Sequence, residues 1–277
     1  MFFFGTFIGS FLNVVIYRLN PALRQAQGGV FGRRSMCFNC KTILKWYDLV
    51  PILSFFWLCG RCRYCQKKIS WQYPMVEFLS GILWLAVFYK NQLDGNFQFS
   101  ILNFQSIFNF QFLNFFYYIF VLSALLVIAV YDFKWYIIPD KIIYPAIALA
   151  LIFNLFNAFS AIGGSASGGK SLNIETFKLF TAFIAFLFFF SIYFFSRGRA
   201  MGLGDGKLAF LIGLFLIPLL TAITLILAFI IGALFGIILV VFKKKSWKSQ
   251  IAFGPFLIIS VFITFFFSDF IMKLFQP

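Results

Sequence analysis

Two short stretches carry the carboxylates best placed to do chemistry, "YDFKWYIIPD" at 131–140 and "MGLGDGKL" at 201–208. Acids are scarce: Asp48, Glu77, Asp94, Asp132, Asp140, Glu175, Asp205 and Asp269 are all of them, and the chain has no histidine. Ser–His and Cys–His nucleophilic pairs and His-ligated metals are thereby excluded, and acid–base work falls to carboxylates, Cys, Lys or Tyr. Asp132, Asp140 and Asp205 each border a long apolar run. An ionisable group there is costly unless it faces protein or water, which makes it a functional candidate. Asp140 follows Pro139 and opens an apolar run, so capping the next helix accounts for it. Asp48, in "WYDLVP", suits a turn within the cysteine-bearing segment. Asp205 is different, because Gly202, Gly204 and Gly206 surround it. Glycines allow positive φ and close backbone approach, which suits a site that seats an extended peptide. Peptide hydrolysis by carboxylates takes two of them, one ionised to activate water and one protonated to polarise the carbonyl. Asp132 supplies the second. Asp205, at the start of a helix and near Lys207, is expected to be the ionised partner, and Asp132, at the end of a helix, to hold the proton.

The second constellation is sulfur. All five cysteines lie in one polar segment, as "CFNC" at 37–40 and "CGRCRYC" at 59–65. CxxC pairs in a basic, reducing environment indicate thiolate coordination of zinc. An internal repeat selects the ligands: "CFNCKTILKW" and "CRYCQKKISW" both fit C-x2-C-x3-[IL]-x-W at an offset of 25 residues. The expected ligands are Cys37, Cys40, Cys62 and Cys65, with Cys59 a bystander. Four thiolates close the coordination sphere, so the zinc is expected to be structural.

The elements that must position these groups are membrane helices. Hydrophobic residues make up 62% of the 277 and Phe alone numbers 46, too apolar for a soluble domain. Eight spans are expected, near 2–17, 75–89, 112–131, 142–159, 177–195, 207–219, 221–242 and 256–270, the first, second and sixth being short for a crossing. With the N-terminus outside, 19 of the 23 Lys and Arg fall in the segments 18–72, 132–141, 196–207 and 243–248. That matches the positive-inside rule and puts the cysteine segment and both aspartates at the cytoplasmic face. Arg18 follows the first apolar run, so that run reads as a retained span and not a signal peptide. The net charge of +15 is absorbed by this topology, and no nucleic-acid recognition motif accompanies it. The Phe/Asn/Gln tract 91–114 and the Gly/Ser stretch 160–170 read as connections without chemistry.

In order along the chain, "GSFLNVVIYRL", "RSMCFNC", "WYDLVPILS", "GRCRYC", "QYPMVE", "YDFKWYIIPD" and "MGLGDGKL" resemble the bacterial type IV prepilin leader peptidases, up to about Gly213. The resemblance implies a GxGD-type membrane aspartic peptidase that cuts the short basic leader of prepilins or pseudopilins at the cytoplasmic face of the inner membrane. It further implies, for many members, N-methylation of the new terminus from S-adenosylmethionine. Carried over, the catalytic pair is Asp132 and Asp205, the zinc ligands are Cys37, Cys40, Cys62 and Cys65, and Gly202, Gly204, Gly206 and Lys207 support the site. Phe38, Asn20, Cys59 and the "NFQ" tract depart from the family pattern. The expected fold is an all-α polytopic membrane protein of about eight helices with a small zinc-ribbon-like insert. Its parts are a first helix at 1–17, the cytoplasmic zinc module at 18–73 and a membrane peptidase core of about seven helices at 74–277. Prepilins and the lipid bilayer are the expected partners, and nucleic acid is not. The competing reading is a non-enzymatic zinc-ribbon scaffold or a proton-coupled carrier. Carriers place their acids near the bilayer midplane, whereas Asp132 and Asp205 stand at span ends.

Overall fold

The structure is a computed structural model that describes residues 1–19, 35–37, 39–93, 110–163, 168–199, 201–242 and 252–275. Most of the "NFQ" tract, the centre of the Gly/Ser stretch and the basic run 243–248 lie outside the described residues. The described chain is helical: α1 (Phe2–Arg18), α2 (Leu53–Trp57), α3 (Gln72–Leu93), α4 (Phe110–Trp135), α5 (Asp140–Gly163), α6 (Gly168–Ser196), α7 (Leu203–Phe215), α8 (Pro218–Val241), α9 (Gly254–Phe266) and α10 (Ser268–Phe275). A helix stands at each of the eight expected spans. Four stretches, Phe112–Trp135, Asp140–Phe159, Thr176–Ser196 and Pro218–Val241, are long and apolar enough to cross a membrane. A fifth is reached if α9 and α10, bent by 74°, form one broken span. The expected all-α membrane fold stands.

The chain divides into two units, Met1–Ile119 and Phe120–Pro277. In the first, α1 and α3 lie against each other through small residues. A Cβ added to Gly5 would meet the Ser80 carbonyl oxygen at 2.7 Å, and one on Gly9 would meet the Glu77 Cα at 2.6 Å. Lipid tails give no hydrophobic drive for helix pairing, so close backbone approach at a GxxxG spacing supplies dispersion contacts instead. The helix pair also buries polar side chains: Asn13 Nδ2 donates to the Tyr73 carbonyl at 3.0 Å.

In the second unit α7 is enclosed by protein. Leu208, Ala209, Leu211, Ile212, Gly213, Leu214 and Phe215 are all buried. At 13 residues it extends only about 20 Å, too short for the bilayer by itself. Gly213 lets α6 approach: a Cβ there would lie 2.5 Å from Ala182 Cα. α7 stops where Pro218, at the first turn of α8, denies the chain another amide. The last carbonyls of α7 then lack helical partners, and Asn154 of α5 donates to one of them, the Leu214 oxygen, at 3.0 Å. Thr224 of α8 and Thr264 of α9 share a hydrogen bond of 2.7 Å, polar glue of the kind used between membrane helices. Outward positions such as Phe180, Phe194 and Phe195 are exposed, as lipid-facing positions are. The helix ends that carry Asp132, Asp140, Asp205 and Gly254 are thus held by close packing and a few buried hydrogen bonds.

Candidate active site and cysteine cluster

Asp132 lies in the last turn of α4 and is only 5% exposed. Its carboxylate accepts a hydrogen bond from the Gly254 amide, in the first turn of α9. Asp205 is the third residue of α7, whose N-cap is Gly202. Its own amide donates to the Gly202 carbonyl at 3.2 Å, closing the first turn of the helix. The two carboxylates stand within electrostatic reach of each other. Each carboxylate therefore lies at the N-terminus of a helix, Asp205 in the first turn of α7 and Asp132 against the first turn of α9, where unpaired donors and the dipole favour an anion.

The expected division of labour between the two rested on helix ends. Asp132 ends one helix but faces the start of another, so the helix-end argument no longer separates it from Asp205. The flanking glycines also act differently from expectation. Among the described residues positive φ occurs at only two glycines, Gly60 and Gly198, so Gly202, Gly204 and Gly206 are not there for φ. Gly204 is there for approach, since a Cβ would lie 3.1 Å from Ile138 Cβ, in the turn between α4 and α5. That contact joins the two carboxylate motifs.

Lys207 turns away from Asp205. Its ammonium donates to Asp140 at the start of α5 and lies 4.7 Å from the centre of the Tyr144 ring. Asp140 stands in the first turn of its helix, as a capping role requires, and also ties α5 to α7. The pairing is invisible in a linear reading because Asp140 and Lys207 share no motif.

In the first unit the sulfurs of Cys37, Cys40, Cys62 and Cys65 all lie within 4.8 Å of one another, with Cys37 and Cys65 at 3.8 Å. Four sulfurs around one ion at the tetrahedral Zn–S length stand roughly 3.8 Å apart, so the cluster can hold a metal ion. Cys59 is exposed and outside it. The repeat reappears as structure. Cys37 N–H donates to the Thr42 carbonyl and Cys62 N–H to that of Lys67, at 3.0 and 2.9 Å. Bridges join Met36 to Ile43 and Arg61 to Lys68; Lys41 and Gln66 share a φ of 56°. Burial pushes the Cys37 thiol up to about 11. Hydrogen bonds from Thr42 bring Cys40 down to about 6. Asp48 belongs to this fold: it accepts from Arg63 Nε at 2.8 Å and from the Tyr64 hydroxyl at 3.3 Å, fastening the first knuckle to the second.

Glu77 was not singled out by the sequence. It is buried in the α1–α3 pair and accepts the Ile52 amide at 2.7 Å. Ile52 has a φ of 62°, strained for a β-branched residue. The carboxylate thus anchors the "WYDLVPILS" turn to α3; the sequence signal was the acid in "QYPMVE", which lacks a basic neighbour.

Two family models match the chain. Bacterial Peptidase A24 N-terminal domain covers residues 3–91, which hold the cysteines, and Type IV leader peptidase family covers 119–237, which hold Asp132 and Asp205. A protein of Vibrio cholerae serotype O1 named prepilin leader peptidase/N-methyltransferase is 33% identical over 269 residues, 94% of this chain and 92% of that one. Proteins of the same name from Aeromonas hydrophila and Legionella pneumophila are each 29% identical, over 99% and 98% of this chain and 91% of theirs. The similarity thus extends past Gly213. No solved structure matches.

Proposed function

Because this chain belongs to the type IV leader peptidase family, we propose that it cleaves the leader of type IV prepilins or pseudopilins with Asp132 and Asp205 as its catalytic pair. The observation that supports the assignment is that the two carboxylates lie within electrostatic reach of each other, each at a helix N-terminus. In such a pair one member is ionised and the other protonated. The ionised member takes a proton from water as the water oxygen attacks the scissile carbonyl carbon, and the protonated member gives its proton to the carbonyl oxygen. Collapse of the tetrahedral adduct breaks the C–N bond, and the amine leaves with a proton from the pair. The carrier and scaffold readings are not favoured.

N-methylation of the new terminus, with S-adenosylmethionine as donor, rests on the names of the relatives and assigns no residue. Zinc is the metal proposed for Cys37, Cys40, Cys62 and Cys65, because four thiolates at this spacing suit a closed tetrahedral structural site. Its chemistry is cross-linking of the two knuckles. The chain is a membrane protein, and the distribution of Lys and Arg supports an N-terminus outside, with the zinc module and the aspartates at the cytoplasmic face of the inner membrane.

The test is to incubate the purified protein, in detergent or lipid, with candidate prepilins and to determine the product N-terminus by mass spectrometry, which reads cleavage and methylation together. Asp132→Asn and Asp205→Asn should each abolish cleavage while membrane insertion and zinc content persist. Near wild-type cleavage by either variant would falsify the assignment.

A further inference from the structure

Gly254 lies beyond both family models, which end at residues 91 and 237, and in a stretch, "AFGPF", with no acid, thiol or other reactive group. Its φ is not in the left-handed region, so conformational freedom does not explain a glycine there. Space does. A Cβ built on Gly254 would meet Asp132 Oδ2 at 2.5 Å, its Cγ at 3.2 Å and its Cβ at 3.7 Å, and these are its three nearest atoms. Approaches under about 3 Å are not tolerated in packed interiors, so a side chain at 254 would have to displace this carboxylate. Gly254 and Pro255 are both buried, and the proline fixes the backbone directly after the donor amide, leaving that amide little room to follow a displaced acceptor.

We propose that Gly254 is a positioning residue of the dyad: its amide holds the Asp132 carboxylate, and its missing side chain is what lets the carboxylate reach that amide. The inference rests on the reading of Asp132 as catalytic. It makes the N-terminus of α9 a third component of the site, beside the ends of α4 and α7. A carboxylate shifted off this amide loses the orientation in which it can exchange a proton with substrate or water, and such misplacement acts on turnover more than on leader binding.

The experiment compares Gly254→Ala with Gly232→Ala in the full-length protein in lipid. A Cβ on Gly232 would meet Phe256 and Phe253 no closer than 3.6 Å, an ordinary contact in the packing of α8 against α9. Gly254→Ala should lower kcat for prepilin cleavage roughly tenfold or more at near-constant KM, the scale of effect expected when a catalytic group moves by about 1 Å. Gly232→Ala should leave both constants within about twofold, the range of a harmless surface or packing change. A stability cycle keeps the inference testable even if the first variant folds poorly. Gly254→Ala should depress the unfolding temperature in the wild-type background and have little effect in an Asp132→Ala background, because the methyl then has no carboxylate to meet. Wild-type kcat in Gly254→Ala, or an equal loss of stability in both backgrounds, overturns the proposal. If Asp132→Asn itself still cuts prepilin, the catalytic reading has failed instead.

Discussion

Asp140 and Asp132 share one short motif, and removing the charge of each should have effects of different size. The Asp140 side chain is 61% exposed and its partner Lys207 only 19%. Ion pairs with an exposed member contribute about 0.2–1 kcal/mol, and an acid in the first turn of a helix adds about 0.3–1 kcal/mol through the dipole. Asp140→Asn therefore costs at most about 2 kcal/mol of stability by these terms. Little of it is expressed in the transition state, because Lys207 keeps its place over the Tyr144 ring. Cleavage measured as kcat/KM should stay within about fivefold of wild type, equivalent to about 1 kcal/mol. Asp132→Asn removes a proton-transferring group, for which losses of about 10²–10⁴ or more are usual. The Asp140–Lys207 coupling, read from a double-mutant cycle with Lys207→Met, should shrink in high salt as the Debye length falls from about 10 Å at 0.1 M to about 3 Å at 1 M. A folded, zinc-loaded Asp140→Asn protein as inactive as Asp132→Asn would refute the reasoning and put Asp140 in the catalytic pair.

Metal content gives a second check. Cys59→Ser should retain about one zinc per chain while Cys62→Ser and Cys65→Ser lose it, and zinc loss from Cys59→Ser with retention in Cys65→Ser would reverse the ligand set. Zinc uptake by the metal-free protein at pH 7 should release protons, because the Cys37 thiol, raised to about 11, still carries its own. Zinc affinity should accordingly rise with pH through neutrality, and a calorimetric series in which it fell would contradict the assigned thiols. At the helix pair of the first unit, Gly9→Leu must push α1 off α3, given a 2.6 Å approach for the first carbon alone. It should cost about 1–3 kcal/mol or more, seen as a lower unfolding temperature in detergent, and unchanged stability would mean that the two helices do not pack by close backbone approach.

What was legible in the sequence is what is local. Each cysteine knuckle is closed by hydrogen bonds spanning five residues, Cys37 to Thr42 and Cys62 to Lys67, so a repeat in the sequence had to reappear as a repeat in space. Helix positions were legible because apolar length alone decides them. The miss at Lys207 has a simple cause: two residues along a helix turn the side chain by about 200°, so proximity in "GDGKL" separates Lys207 from Asp205 and frees it for Asp140. Asp132 shows the more general difficulty. Read along its own helix it sits at a C-terminus, where a dipole opposes the anion. The structure adds a second helix, α9, whose Gly254 amide points at the same carboxylate. Nothing in "YDFKWYIIPD" announces that neighbour, and nothing in "AFGPF" announces an acid. The only trace is a glycine with no need of its φ, and such a glycine becomes informative only when one asks which atom a Cβ would strike. In a bundle with eight acids among 277 residues, the electrostatics of a carboxylate are set by helix ends that meet in space, and the helix that decides the matter for Asp132 is remote from it in the chain.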